Sequence, residues 1–366
     1  MKKNRFLSLV SGLTALCSPL SFGATANLPQ EQENDMAAYL LVFFSDSDHS
    51  LHFAVSRDGY NFSALNDNKP IISGDSIAEQ RGIRDPHIYR GHDGNFYMAL
   101  TDLHIFAKNE GLRDTEWERP AEYGWGNNRG LVLMKSSDLI NWSHNEARLD
   151  QLFPDEFGDI GCAWAPQTIY DPEKDAMMVY FTIRKKGENI PGATPDERKT
   201  RLYYAYADKD FTTLVTKPEK LYEFPDEKIQ VLDADIYPLP NGGYAMTYVS
   251  QENPCGIKIA YSDSINKGYN YVDKQIDFEP RDCEAPNVWK RIGEDRWVVM
   301  YDVYSINPHN FGFVETTDFR TFIPIGHFND GPMRTTNFSS PKHGAVIHIT
   351  KEEADRLENH FPSSNK

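Results

Sequence analysis

One four-strand unit recurs along this chain, and the copy that is incomplete at the N-terminal end is completed at the C-terminal end. From Asp85 onward each copy has a strand marked by a proline or an acid, then a strong apolar strand. A strand ending in a Ser/Thr/Asp turn and a short aromatic strand follow. The second strands read Asn95–Leu100, Met177–Phe181, Tyr244–Tyr248 and Trp297–Tyr301, and the third read Gly130–Met134, Arg201–Ala205, Gly256–Ala260 and Asn310–Val314. The turns are Ser137-Asp138, Asp208, Ser262-Asp263 and Thr317-Asp318, followed by Trp142, Phe211, Tyr269 and Phe322. Four short strands at a spacing of about 50–70 residues mark a β-propeller blade. Tyr39–Phe44, Leu51–Val55 and Arg57–Phe62 supply strands two to four of a further blade that nothing precedes. Its missing innermost strand is Lys342–Ile349. The expected fold is all-β, a five-bladed β-propeller whose ring closes by pairing the C-terminal strand with the N-terminal blade, leaving no open sheet edge to aggregate.

The expected organisation is a signal peptide over 1–26, a propeller domain over 27–351 and a tail over 352–366 that forms a short, fraying helix. Lys2, Lys3 and Arg5 precede an apolar run from Phe6 to Phe22, and Ala24-Thr25-Ala26 has the small residues of a signal-peptidase site. That predicts a periplasmic or secreted protein of a Gram-negative bacterium. Leu16 before Cys17 argues against a lipoprotein site, and no other run reaches the ~20 apolar residues of a membrane span. Acidic residues outnumber basic ones, 54 to 38, for a net charge of −16. Nucleic acid and anionic membranes need clustered cations, so the charge argues against both; a neutral partner such as a sugar is compatible with it, and keeping a secreted protein soluble accounts for most of the acidity. Cys162, Cys255 and Cys283 remain after Cys17. Buried free thiols are expected, and were one bridge to form, Cys162 with Cys283 is the expected pair, since each directly precedes a strand mouth.

The innermost strands open on Arg84-Asp85-Pro86, Trp164-Ala165-Pro166-Gln167, Leu232-Asp233-Ala234-Asp235 and Glu284-Ala285-Pro286. Proline fixes φ and cannot donate to a ladder, so it suits the start of a strand. Inner strands of a propeller run the same way along its axis, so Asp85, Asp233 and Glu284 should meet around one opening. A single acid at such a place is as often turn chemistry. Three acids from three repeats, read as occupying one structural position, are better explained as a site. Crowded carboxylates resist ionising together and drive their pKa values apart, which acid/base hydrolysis requires. His343, at the start of the closing strand, should reach the axis as well. Residues 104–128 and 186–199 lengthen two loops, the first with Trp117, Tyr123 and Trp125, aromatics suited to stacking on sugar rings if they lie on the face of Asp85.

The ordered set of Asp-Pro, Trp-Ala-Pro, a third-blade acid and Glu-Ala-Pro, from about Tyr39 to Ile349, resembles glycoside hydrolase family 43. The resemblance implies Asp85 as general base, Glu284 as general acid, and Asp233 as the residue that orients the acid and sets its pKa, with Asp235 the competing choice for the third role. It implies an aromatic at Trp164 beside the pocket, with Arg84 and Gln167 near the substrate. Gln167 stands where many relatives carry an acid, and Arg84 either holds Asp85 ionised or turns away, as does neighbouring Arg81. No cofactor is required for the chemistry. The resemblance also implies a Ca²⁺ ion on the axis, reached by His343 through water, while a hydrogen-bonded structural histidine is the alternative. The implied reaction is inverting, exo-acting removal of terminal α-L-arabinofuranosyl or β-D-xylosyl units from an oligosaccharide or polysaccharide. A retaining fructan- or sucrose-cleaving propeller is disfavoured because no Asn-Asp-Pro segment lies between Asn27 and Ile83. A phosphate-using glycosidase is disfavoured by the lack of an obvious basic cluster. A non-catalytic carbohydrate-binding propeller would leave three acids without a reason to converge.

Overall fold

A computed structural model describes residues 33–364; the signal-peptide and cleavage-site expectation lies outside them. The chain forms a five-bladed β-propeller. Blade 1 comprises Ile83–Arg90, Phe96–Asp102, Gly130–Ser136 and Ser143–Arg148 from axis to rim, and blade 2 comprises Cys162–Asp171, Ala176–Arg184, Thr200–Tyr206 and Glu219–Tyr222. Blade 3 comprises Val231–Pro238, Tyr244–Ser250, Gly256–Ser262 and Asn270–Gln275, and blade 4 comprises Glu284–Lys290, Trp297–Val303, Asn310–Thr316 and Ile323–His327. In blade 5 the closing strand Lys342–Thr350 lies innermost, antiparallel to Met36–Phe44, with Leu51–Ser56 and Asn61–Ala64 outside it. A two-residue strand, Arg334–Thr335, adds a parallel outer edge.

The second strands are apolar almost throughout because both their faces are buried. Ala38, Leu40, Val42 and Phe44 pack toward blade 1, whereas Tyr39, Leu41 and Phe43 pack toward blade 4. Alternation along a strand therefore separates two cores rather than core from solvent. The same logic fills the remaining three gaps between blades. At the rim the Ser/Thr-x-Asp turns explain themselves. Asp138 Oδ1 accepts from Ile140 N and Asn141 N while Ser136 Oγ accepts from Leu139 N, and Asp58 and Asp318 repeat the arrangement. These side chains satisfy the turn's backbone donors locally.

The C-terminal helix, Lys351–His360, does not fray as expected. Thr350 and Glu353 form a capping box, Ala354 and Leu357 are fully buried against blades 1 and 5, and Arg90 pairs with Glu353. Ser364 then bonds to Asp67. Reciprocal capping satisfies two otherwise orphaned N–H groups, and the apolar contact fixes the helix over the closed seam. Leu357→Ala is expected to cost about 2–5 kcal/mol in urea unfolding; a frayed helix would show no loss.

Candidate active site

Each innermost strand carries a β-bulge at its mouth, where two residues face one on the neighbouring strand. The first bulge residue is left-handed in all five blades: Asp85 (φ 54°), Ala165 (46°), Asp233 (47°), Ala285 (56°) and His343 (27°). A non-glycine residue in this region costs of order 1–3 kcal/mol and persists only where its surroundings hold it. The neighbouring blade does so. Ala165 N donates to Thr101 Oγ1 (2.8 Å), Asp233 N to Thr182 Oγ1 (3.1 Å) and His343 N to Asp302 Oδ2 (3.1 Å). Thr101, Thr182 and Asp302 occupy one register position on their second strands; blades 3 and 5 have Val249 and Phe44 there, which cannot accept. In those two blades the bulge side chain itself reaches onward. Asp233 accepts from Ala285 N, and His343 turns to Asp85.

This register corrects one expectation. Asp85 and Asp233 are equivalent bulge residues, but Glu284 stands one position earlier, level with Arg84, Trp164, Leu232 and Lys342. All three acids nevertheless line one cavity of about 290 Å³ at the mouth, with Arg84, Trp164, His343, Trp125, Arg184, Glu188, Cys255 and Tyr304. Asp85 and Glu284 thus share a face of the ring. Gln167 is not there: it lies on the axis below, buried, with its Oε1 accepting from Tyr180. Asp235 belongs to the same lower tier. It accepts from Val288 N and Asn287, as His87 accepts from Thr168 N and Asn287 from Val346 N. His87, Asp235 and Asn287 thus each tie an inner strand to the next, and Asp235 does not line the cavity with the three acids. Arg81 points away and pairs with exposed Asp75.

Both long loops reach the mouth. Arg184 joins them, pairing with Glu188 of the second and donating to the carbonyls of Tyr123 and Trp125 of the first. Its guanidinium lies 5.3 Å from the Trp164 ring. Trp117, Trp125 and Trp164 meet edge to face, and Trp164 Nε1 donates to Gly126 O. Gly126 (φ 60°) permits this approach, since a Cβ there would sit 3.2 Å from the indole. Trp125 remains 49% exposed at the rim, an apolar wall open to a ligand.

The charges are arranged unequally. Burial opposes ionised Asp85, yet the His343 imidazolium 3.1 Å away, Arg84 and the Thr101 hydroxyl (2.7 Å) outweigh it and hold Asp85 far below the usual carboxylate range. Arg84 is itself fixed by Asp46 at 2.8 Å. His343 is destabilised as a cation by burial, but Asp85, with Asp233 and Glu284, lifts it to about 9. Burial raises both Glu284 and Asp233, the latter to about 8; neighbouring carboxylates add to the rise in each, while His343 opposes it in both and Lys342 opposes it at Glu284. The mouth thus holds one firmly ionised carboxylate beside two whose protonated forms burial favours.

For an axial calcium the described residues offer no direct ligand cluster. Among the described residues no group of three or more His, Cys, Asp or Glu side chains is placed to hold a metal ion, and His343 Nδ1 is engaged by Asp85. Calcium takes six to eight oxygens, and the belt oxygens of Asp235 and Asn287 already accept backbone donors. Cys162 and Cys283 are buried free thiols; Cys162 begins the innermost strand of blade 2, whereas Cys283 neighbours Cys255. Sequence reasoning missed Lys342, Asp302, Thr101, Arg184 and Tyr304. Lys342 alone left a signal, because it precedes His343 as Glu284 precedes Ala285.

A family model described as a probable glycosyl hydrolase domain, related to family 43, matches residues 34–355, and the chain belongs to this family. An α-L-arabinofuranosidase of Bifidobacterium longum subsp. longum is 24% identical over 134 residues, 35% of this chain and 11% of that protein. A 1,2-β-oligomannan phosphorylase of Thermoanaerobacter sp. is 32% identical over 112 residues, 29% of this chain and 31% of that protein. The matches therefore span about a tenth and a third of those relatives' own length. A crystal structure of a thermostable family-43 glycoside hydrolase superposes with a TM-score of 0.51 at 17% identity, covering 75% of this chain and 81% of that one; the likeness is one of fold.

The ion pair sets a pH window. His343, raised from 6.5 to about 9, contributes stability that is complete below pH 6.5 and lost as pH rises through 9. The urea midpoint should fall between pH 6.5 and 9, and His343→Gln should flatten that fall.

Proposed function

We propose that this chain is an inverting, exo-acting glycoside hydrolase that removes terminal α-L-arabinofuranosyl or β-D-xylosyl units from plant-type oligosaccharides or polysaccharides. The observation that carries the reading is the unequal charge of acids gathered from three blades around one cavity. Asp85, kept ionised by His343 and Arg84, is the general base that takes a proton from water. Glu284, whose pKa is raised, is the general acid that protonates the departing oxygen. Asp233, whose pKa burial raises with help from the Glu284 charge, accepts from Ala285 N and so fixes the strand that presents the acid. His343 and Lys342 stand beside the base and the acid respectively, which supports a gap between the carboxyls. Inverting pairs stand ~6.5–9.5 Å apart to admit water. Trp125, Trp164 and the loop bearing Glu188 wall the cavity on one side, which supports exo action. The similarity to an arabinofuranosidase supports the pentose assignment.

A signal peptide before Asn27 and an exported destination belong to the same proposal. Among the described residues no helix is long and apolar enough to cross a membrane. The similarity to a phosphorylase raises phosphate as an alternative nucleophile, but Arg84 and Arg184 at the mouth are already paired with Asp46 and Glu188. Aryl α-L-arabinofuranosides, β-D-xylosides and β-D-galactosides should be screened with and without inorganic phosphate. Wild type is expected to hydrolyse one of the first two independently of phosphate. Asp85→Asn and Glu284→Gln should each lower kcat by ~10²–10⁴-fold. NMR should show the inverted anomer first; a retained anomer, or full activity in Glu284→Gln, would defeat the reading.

A further inference from the structure

Lys342 is 4% exposed, its Nζ 2.8 Å from Asp302 Oδ2 and 3.6 Å from Glu284 Oε1. Burial works against the ammonium, and Asp302 with Glu284 outweighs it. The fold alone does not require this pair. Blades 1 and 2 hold the next blade's bulge with the neutral hydroxyls of Thr101 and Thr182. Only blade 4, which carries Glu284, uses a carboxylate at that register position, and the closing strand meets it with a lysine. A buried ion pair where a threonine suffices is a costly substitution, and what it adds is a fixed cation beside Glu284.

We propose that Lys342, anchored by Asp302, is a further positioning residue of the general acid beside Asp233, orienting the Glu284 carboxyl and stabilising the carboxylate left when it gives its proton to the leaving group. This rests on Glu284 being that acid. The other charged or titratable groups facing Glu284 are Asp85, Asp233, His343, Cys255 and Tyr304. Of the two cations among these neighbours, His343 is committed to Asp85, which leaves Lys342 to set the acid.

The double variant Lys342→Met/Asp302→Thr installs in blade 4 the neutral arrangement of blades 1 and 2. It should be assayed on two glycosides of the sugar that wild type hydrolyses. One carries 2,4-dinitrophenolate, which leaves without a proton, and the other a simple alkyl alcohol, which needs one. The alkyl glycoside should lose ~10–100-fold in kcat and the dinitrophenyl glycoside less than ~3-fold; the basic limb of kcat/KM should move up by less than about one pH unit, because Asp302→Thr also removes a carboxylate that raises Glu284. Lys342→Arg should bring the limb back. Equal losses on both substrates with an unmoved limb would mean that Lys342 only helps close the ring, overturning the proposal. Should the double variant not fold, Lys342→Gln, whose amide still reaches Asp302, is assayed on the same two glycosides, and equal losses overturn the proposal there as well. Glu284→Gln separates the two claims. If it spares the alkyl glycoside, the acid assignment fails and takes this proposal with it. If it selectively loses the alkyl glycoside while the Lys342 variants do not, the role of Lys342 alone is overturned.

Discussion

The antiparallel pairing of Lys342–Thr350 with Met36–Phe44 is the interaction on which everything else rests. Without it the blade begun by the N-terminal strands has no inner strand, and Ala38, Leu40, Val42 and Phe44 lose the face that packs on blade 1. Closure also fixes the mouth. A ring of sheets around an axis has its inner strands at a common height only when every neighbour is present. Each of the five left-handed bulge residues bonds to a group on an adjacent blade. Strain at one mouth is therefore sustained by hydrogen bonds from the next.

Two tiers of polar side chains follow from this geometry, and they divide labour. The upper tier, at the bulge, turns its charges toward the cavity. The lower tier of His87, Gln167, Asp235 and Asn287 commits its hydrogen-bonding capacity to neighbouring strands. Burial pushes Asp235 up to about 7 and His87 down to about 3, yet neither opens on the cavity with the acids. Perturbed ionisation alone would have nominated both tiers as sites; the partners of each group tell them apart.

The propeller was legible because every blade obeys one period and the doubly buried second strands stand out as apolar runs. Asp85, Asp233, Glu284 and Trp164 were legible through the proline-and-acid grammar of the strand mouths, and the structure gathers them as that grammar suggested. The one-residue offset of Glu284 was hidden, because a bulge shifts register without changing composition. The same shift hid the downward turn of Gln167 and Asp235. Lys342, Asp302 and Thr101 were illegible for another reason. Each acts across a blade boundary, as Thr101 does on Ala165 64 residues away, and only the closed ring makes them neighbours. The capping box of Thr350 and Glu353 stood in plain view, and the docking of the helix behind it follows from Leu357.

Consecutive residues of a single strand, Lys342 and His343, deliver the cations beside Glu284 and Asp85. Of the five inner strands this one comes latest in the chain. A polypeptide emerging from N to C terminus assembles its carboxylates first and receives their counter-ions last. Competence is thereby tied to completion: until the last strand closes the ring the acids lack the two cations it carries, and the latch that seals the ring also arms it.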